Sequence, residues 1–165
     1  MNNTSTSKIK EIYEAPEVSE LGNVRVLTLA NSGSLVVGSD GDETLEGGSG
    51  NDTIFAEGGD DTITGGSGDD ELLAGSGDDI VSAGSGNDAI FAEGGDDTIT
   101  GGSGNDTITG VIDSNTLTGG SGSDHFVVGM NDIITDFNPN EDTAVDANGN
   151  PVEIGDDGKP IFEPF

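Results

Sequence analysis

The chain has 165 residues, enough for one compact unit, and it is strongly acidic: 33 Asp and Glu face 4 Lys and Arg, for a net charge of -29. Such a charge repels nucleic-acid phosphates and anionic lipid and favours cations as partners, so neither nucleic acid nor a membrane surface is expected. The absence of cysteine excludes disulfides, thiolate catalysis and zinc–thiolate sites. No apolar run approaches the ~18 residues of a membrane-spanning helix.

Residues 1–12 are predicted to be disordered. Lys8 and Lys10 are not followed by an apolar stretch, so a cleaved N-terminal secretion signal is not expected.

Residues 13–30 carry a spaced set of residues that resembles the leader peptide of lasso-type ribosomal peptides, with Val where that family has Leu. The matching residues are Tyr13, Pro16, Val18, Gly22 and Thr28. The resemblance implies a leader-recognition or peptidase protein as a partner, which would make the chain a processing substrate. The acid that closes a lasso ring is missing from the matching positions, Val36, Val37 and Gly38. The alternative is an ordinary N-terminal strand that caps the next segment; residues 31–37 are predicted as an entry strand.

Residues 38–127 divide into ten consecutive nine-residue units without an insertion, as in GGSGNDTIT (101–109). The eighth position is always apolar. The fourth position is Gly in nine units: Gly41, Gly50, Gly59, Gly68, Gly77, Gly86, Gly95, Gly104 and Gly122. The sixth position is Asp52, Asp61, Asp70, Asp79, Asp88, Asp97, Asp106 and Asp124, with Glu43 and Asn115 as exceptions. Unit nine (110–118) also has Asp113 in place of the fourth Gly, which puts the geometry of that turn in doubt.

The chemistry of the unit indicates a turn followed by a short strand. The Gly-rich half permits positive φ, and the last three residues favour a strand with one inward apolar side chain. Two units make one flattened coil, and coils stacked at the ~4.8 Å strand spacing bury a thin continuous core. The turns then form an acidic column along each edge. Carboxylates and turn carbonyls suit the flexible oxygen coordination of Ca²⁺ better than Mg²⁺ or Zn²⁺.

This pattern, G-G-x-G-x-D-x-U-x, resembles the calcium-binding repeats of RTX (repeats-in-toxin, hemolysin-type) proteins. The resemblance implies an all-β fold, a parallel β-roll or right-handed β-solenoid of about five two-unit coils, with up to eight Ca²⁺ between stacked turns. It places the fourth and sixth positions at the metal sites, and sites that involve Glu43 or Asn115 should be weaker. Without calcium the chain is expected to be disordered, because charge repulsion outweighs so thin a core.

After the array, residues 128–142 are predicted to cap the roll, and residues 143–165 to form a hairpin or a flexible tail with a candidate secretion signal. The resemblance implies a secreted bacterial protein, exported by a type I secretion apparatus with an uncleaved C-terminal signal. No active site is predicted: His125 lies at a solvent-facing seventh position, and every carboxylate pair is explained by metal binding.

The two outer faces of the roll are predicted to differ. One carries a threonine ladder, which suits exposed strands and would also suit ice or another ordered surface. Its members are Thr44, Thr62, Thr64, Thr98, Thr100, Thr116 and Thr118. The other face carries an apolar stripe, Phe55, Leu73, Phe91 and Val127, expected to pack against residues 24–37, a second copy or an export partner.

Overall fold

The computed structural model of the chain describes residues 17–21, 24–29 and 33–162, and every regular element in them is a β-strand. The strands are β1 (Glu17–Leu21), β2 (Val24–Leu29), β3 (Gly33–Ser39), β4 (Thr44–Ser49), β5 (Thr53–Glu57), β6 (Thr62–Ser67), β7 (Glu71–Ser76), β8 (Ile80–Ser85), β9 (Ala89–Gly94), β10 (Thr98–Ser103), β11 (Thr107–Gly110), β12 (Thr116–Ser121), β13 (His125–Val128), β14 (Ile133–Ile134), β15 (Thr143–Val145), β16 (Glu153–Ile154) and β17 (Pro160–Ile161).

Among these residues there is no helix of the length and hydropathy needed to cross a membrane.

The strands alternate between two sheets. Sheet A has the order β1-β2-β3-β5-β7-β9-β11-β13-β15, and sheet B has the order β14-β12-β10-β8-β6-β4. From β3 onwards the pairing in both sheets is parallel, with residues joined to partners 18 positions away, as in Leu72 with Ile90 and Ile63 with Val81. The offset is 17 only between β12 and β14. Two units therefore make one coil, and the predicted all-β parallel β-roll is confirmed.

The strands are longer than the sequence pattern indicates. The Gly-rich first half of the unit was expected to be a turn, but its first three residues belong to the strand. In β4 and β6, pairing continues from Glu46–Thr64 to Gly48–Gly66 and Ser49–Ser67. In these strands the turn is therefore confined to positions four to six. The second-position glycines keep the positive φ expected of this half, as at Gly48 and Gly66, yet the pairing between coils continues through them.

The core is a single stack of inward side chains, one large residue from each unit. The eighth-position residues from Leu45 to Phe126 are at most 1% exposed. A second inward position, not anticipated from the sequence, is the first residue of the unit, where four alanines are completely buried: Ala56, Ala74, Ala83 and Ala92. The side-chain alternation thus continues from position seven to position one, as in an uninterrupted strand.

The roll extends beyond the ten units at its C-terminal end. β14 pairs with β12, and β15 pairs with β13, so the sheets contain about six turns rather than the five predicted. β16 and β17 form a small antiparallel hairpin after them. At the other end, where an entry strand was predicted at 31–37, β3 spans Gly33–Ser39, and β1 and β2 extend sheet A from it in antiparallel fashion.

The outer faces differ as the sequence indicates. On sheet A, the apolar stripe Phe55, Leu73 and Phe91 lies in one register row that continues to Val37 and Val127. These side chains are half-buried, because neighbours at the strand spacing cover one another. The segment at 24–37, expected as one candidate cover for this stripe, does not lie across it: β2 and β3 are neighbours in the same sheet.

The stacked glycines provide a direct test of the fold. Gly86 has φ +136, and a Cβ there would lie 1.9 Å from the carbonyl oxygen of Gly68. Gly86→Ala should therefore lower the free energy of unfolding by more than about 2 kcal/mol, since positive φ alone costs roughly 1–2 kcal/mol. The measurement is urea unfolding in saturating calcium.

Gly94→Ala is the matched control. A Cβ at Gly94 meets nothing within 4 Å, and its φ is not positive, so the change should stay within about 0.5 kcal/mol. Equal losses from Gly86→Ala and Gly94→Ala would contradict the close approach of the coils.

Candidate metal sites at the two edges

The sixth-position side chains form two columns, one along each edge of the roll. Edge 1, where sheet B leads into sheet A, carries Asp52, Asp70, Asp88, Asp106 and Asp124. Edge 2, where sheet A leads into sheet B, carries Glu43, Asp61, Asp79, Asp97 and Asn115. All eight aspartates are 1–3% exposed. The structure therefore brings the predicted residues together in the predicted stacks.

One carboxylate oxygen of each buried aspartate is held by the preceding coil. The backbone N–H of Asp70 donates to Asp88 Oδ1 at 2.8 Å, and that of Asp79 donates to Asp97 Oδ1 at 2.9 Å. The same bond repeats every 18 residues along both edges. These bonds orient each carboxylate and fix the distance between successive coils.

The exposed fifth-position side chains form a second ladder in the opposite direction. The backbone N–H of Asp78 donates to Asp60 Oδ1 at 3.0 Å, and that of Asn105 donates to Asn87 Oδ1 at 2.9 Å. Asp and Asn both occur at this position because only the acceptor oxygen is used. The fifth position therefore has a structural role that does not require charge.

The second carboxylate oxygen of the sixth-position aspartates has no partner. Seven such Oδ2 atoms are buried without a hydrogen-bond donor: those of Asp52, Asp61, Asp70, Asp79, Asp88, Asp97 and Asp106. Buried polar atoms in native proteins are almost always paired, and an unpaired buried charge is costly. A cation with oxygen ligands would satisfy these atoms, so the residues present fit a hard dication such as Ca²⁺.

Burial also changes the protonation of these side chains. Removal from water raises the pKa of four carboxyls to about 6: Asp70, Asp79, Asp97 and Asp106. The same cause raises the pKa of Asp61, Asp88 and Asp124. The backbone N–H donors oppose this shift, and neighbouring carboxylates add to it in every case. The columns thus favour a positive counter-charge, either a proton or a metal ion.

The fourth-position glycines form the turns that bring successive coils into contact. Except for Gly41, each has φ between +98 and +136. The N–H of Gly86 donates to the carbonyl oxygen of Ser103 at 2.9 Å, and Gly68 and Gly104 make the equivalent bonds. Among the described residues no cluster of three or more His, Asp or Glu side chains is placed to hold a metal ion.

Two carboxylates that sequence reasoning missed continue the columns past the array. Asp132 Oδ1 accepts from Asn115 N at 2.9 Å, and Asp142 Oδ1 accepts from Asp124 N at 3.0 Å. Each also has its second oxygen occupied, by the N–H of Gly129 and of Asn138 respectively. The signal was available, because both residues begin an Asp-x-apolar-x segment at nearly the 18-residue spacing.

Two positions that depart from the repeat, Glu43 at a sixth position and Asp113 at a fourth position, behave differently. Glu43 bends back onto its own turn, where its carboxylate accepts from the backbone N–H and the hydroxyl of Ser39. In unit nine, Asp113 adopts φ 67, so it keeps the left-handed turn that the missing glycine had put in doubt.

The remaining predicted residues lie away from the columns. His125 Nδ1 is 2.7 Å from the hydroxyl of Thr143 on the outer face of sheet A. Of the leader-like residues, Val18 lies in β1 and Thr28 in β2, and both strands are paired within sheet A. The other three, Tyr13, Pro16 and Gly22, lie outside the described residues.

The geometry defines a class of protein: a parallel β-solenoid with an acidic column at each edge. The family model of the RTX calcium-binding nonapeptide repeat matches residues 37–72, 73–108 and 100–132, which together span more than half of the chain. The chain belongs to this family, whose repeats bind calcium and whose members are typically secreted. The comparisons with curated proteins and with solved structures returned no match.

The raised pKa values predict that acid folds the metal-free chain. Four carboxyls have a pKa of about 6 in the fold against an ordinary 3.8. The stability linked to them is fully present below pH about 4 and is lost as the pH rises through about 6. In chelator, β-structure seen by far-ultraviolet circular dichroism should therefore increase as the pH falls from 7.5 towards 4.5.

A pair of fourfold variants separates this effect from a general loss of charge. Asp70→Asn, Asp79→Asn, Asp97→Asn and Asp106→Asn together should weaken the pH dependence. Asp60→Asn, Asp69→Asn, Asp78→Asn and Asp96→Asn, at exposed fifth positions, should leave most of it. Equal pH profiles for the two variants would show that the buried carboxyls are not the titrating groups.

Proposed function

We propose that the array folds on binding calcium, which is held between successive turns on both edges of the roll. The single observation that carries this proposal is the set of seven buried Oδ2 atoms without a donor. When bound, the ions supply the positive charge that these carboxylates lack. Binding free energy then becomes folding free energy, as in other metal-dependent small domains.

The ligands in this proposal are the sixth-position aspartates together with carbonyl oxygens of the glycine turns. Six stacked pairs have Asp at both positions: 52/70, 61/79, 70/88, 79/97, 88/106 and 106/124. Each carboxylate keeps its Oδ1 on the backbone of the preceding coil and offers its Oδ2 to the ion. Because successive turns of one edge lie at the strand spacing, one ion can bind oxygens of two coils. The array would hold up to eight ions in all.

We further propose that the protein is secreted and non-enzymatic, with calcium concentration as the trigger of folding. A chain of net charge -29 with one large core residue per unit is poorly stabilised where calcium is scarce. It would stay extended for export, through a type I secretion apparatus, and fold where calcium is abundant. A leader-recognition or peptidase partner for residues 13–30 remains an alternative hypothesis.

The test replaces one ligand on each edge. Asp79→Asn with Asp88→Asn removes two buried charges and keeps both Oδ1 acceptors. The calcium concentration at the folding midpoint should rise about tenfold or more, equivalent to roughly 1.4 kcal/mol or more. Without calcium the same variant should fold more readily than the parent, because a buried amide costs less than a buried charge. Circular dichroism during calcium titration measures both, with magnesium as the ion control.

Asp78→Asn with Asp69→Asn is the matched control, one residue away on the same two edges. Asn occupies this fifth position naturally at 51, 87 and 105, so the charge change is equal but the ladder is kept. A parent that folds fully in chelator, or equal midpoints for the two variants, would overturn the proposed role of the columns.

A second candidate function, binding to ice or another ordered surface, is favoured by the outer face of sheet B. Register places Thr62 and Thr98 in one row and Thr64 and Thr100 in the next. The row of Thr62 and Thr98 is interrupted by Ile80, whose side chain is 57% exposed. If this face binds ice, the calcium-loaded protein should inhibit ice recrystallisation and Thr98→Lys should abolish the effect. Inhibition unaffected by Thr98→Lys would count against this face.

A further inference from the structure

We propose that the side-chain amide of Asn115 takes the place of an ion at the end of edge 2, so that unit nine is closed without metal. This inference rests on the proposed calcium columns and refines them: it names the position at which the column stops.

The amide nitrogen occupies the place of the unpaired carboxylate oxygen in other units. The distance from an ideal Cβ on the first residue of a unit to the sixth-position side chain shows where that side chain ends. The Cβ lies 2.6 Å from Oδ2 of Asp70 when built on Gly65 and 2.4 Å from Oδ2 of Asp106 when built on Gly101. Built on Gly110, it lies 3.0 Å from Nδ2 of Asn115. A donor therefore stands where the other units have a buried acceptor.

The hydrogen bonds fix which end of the amide is which. The N–H of Asp97 donates to Asn115 Oδ1 at 3.0 Å, so this oxygen keeps the ladder role of an aspartate Oδ1. The nitrogen then donates to the carbonyl oxygen of Ile112 at 2.9 Å and to Asp132 Oδ1 at 3.1 Å. These acceptors are a turn carbonyl and the carboxylate of the next coil, the two kinds of oxygen proposed to hold calcium elsewhere. Asn115 is 1% exposed, and its bond to Asp132 is buried, while its bond to Ile112 is partly buried.

Asp113 makes the carbonyl of Ile112 available. In regular units the fourth-position N–H donates to the third-position carbonyl of the next coil, as Gly86 does to Ser103. At unit nine the N–H of Gly95 donates instead to Asp113 Oδ2 at 3.2 Å. The two departures from the repeat thus act together: Asp113 takes over the backbone donor, and Asn115 binds the carbonyl that is released.

The closing carboxylate is satisfied as well. Asp132 is fully buried, and its Oδ2 accepts from Gly129 N at 2.7 Å. Asp132 is absent from the set of aspartates with an unpaired buried oxygen. Between Asn115 and Asp132, neutral N–H donors therefore bind both oxygens of Asp132, and no unpaired acidic oxygen is left there for a cation.

The test counts calcium ions by native mass spectrometry of the full chain. Asn115→Asp should bind at least one ion more than the parent, because it restores an acidic oxygen beside Ile112 and Asp132. In chelator it should fold less readily than the parent, because the new carboxylate oxygen and the carbonyl of Ile112 would then face each other without a donor, beside the charge of Asp132. Asn105→Asp, the same change at an exposed fifth position, is the control and should add no specific ion.

Asp113→Gly combined with Asn115→Asp restores the regular turn and guards against a single variant that fails to fold. An unchanged ion count in this double variant, folded in calcium, would overturn the inference. A parent that binds no calcium would instead overturn the proposed function, so the two failures are distinguishable.

The parent protein gives an independent measurement. In the calcium-loaded state both side-chain amide protons of Asn115 should exchange slowly with solvent, as seen by nuclear magnetic resonance, because both are hydrogen-bonded and buried. Exchange as fast as that of an exposed asparagine such as Asn105 would overturn the inference.

Discussion

Carboxylates that are buried without a donor are the constraint on which the rest of this molecule depends. Seven Oδ2 atoms lie in that state along the edges, in a chain whose net charge is -29. The core that opposes their repulsion contains one large side chain per unit and a few alanine methyls. Hydrophobic burial on this scale is modest, and we therefore propose that the fold depends on a counter-charge. The proton and the divalent cation are competing ways to supply it.

Much of the fold could be predicted from the sequence because the repeat leaves little freedom. An apolar eighth residue and an acidic sixth residue, kept in register over ten units, determine which side chains stack and on which edge. The inward position of Ala56 and Ala74 was missed because strand pairing through the glycines is a property of stacked coils, not of one unit. Asp132 and Asp142 were missed because Met130 and Asn140 stand where the other turns have the fourth-position glycine.

Unit nine could not be predicted from the sequence in this way, because its residues depart from the repeat and the repeat does not show what they do instead. Asp113 and Asn115 each look like a weakened site when compared with the consensus. In the structure, Asp113 accepts the backbone N–H of Gly95, and the amide of Asn115 donates to the carbonyl of Ile112, which Gly95 would otherwise bind. Only the three-dimensional register shows that Ile112 and Asp132 lie within reach of the same amide nitrogen.

The alternation of units between two sheets restricts how such an array can change in length. Inserting or deleting one nine-residue unit would preserve the core and both acidic columns, but it would send every later strand to the opposite sheet. Phe91 would then continue the row of Thr64, and each outer surface would mix threonine with large apolar side chains. A gain or loss of 18 residues leaves both surfaces intact. The near-repetition of residues 54–70 at 90–106, 36 residues apart, obeys this rule, so the surfaces as well as the core limit how the gene can be lengthened.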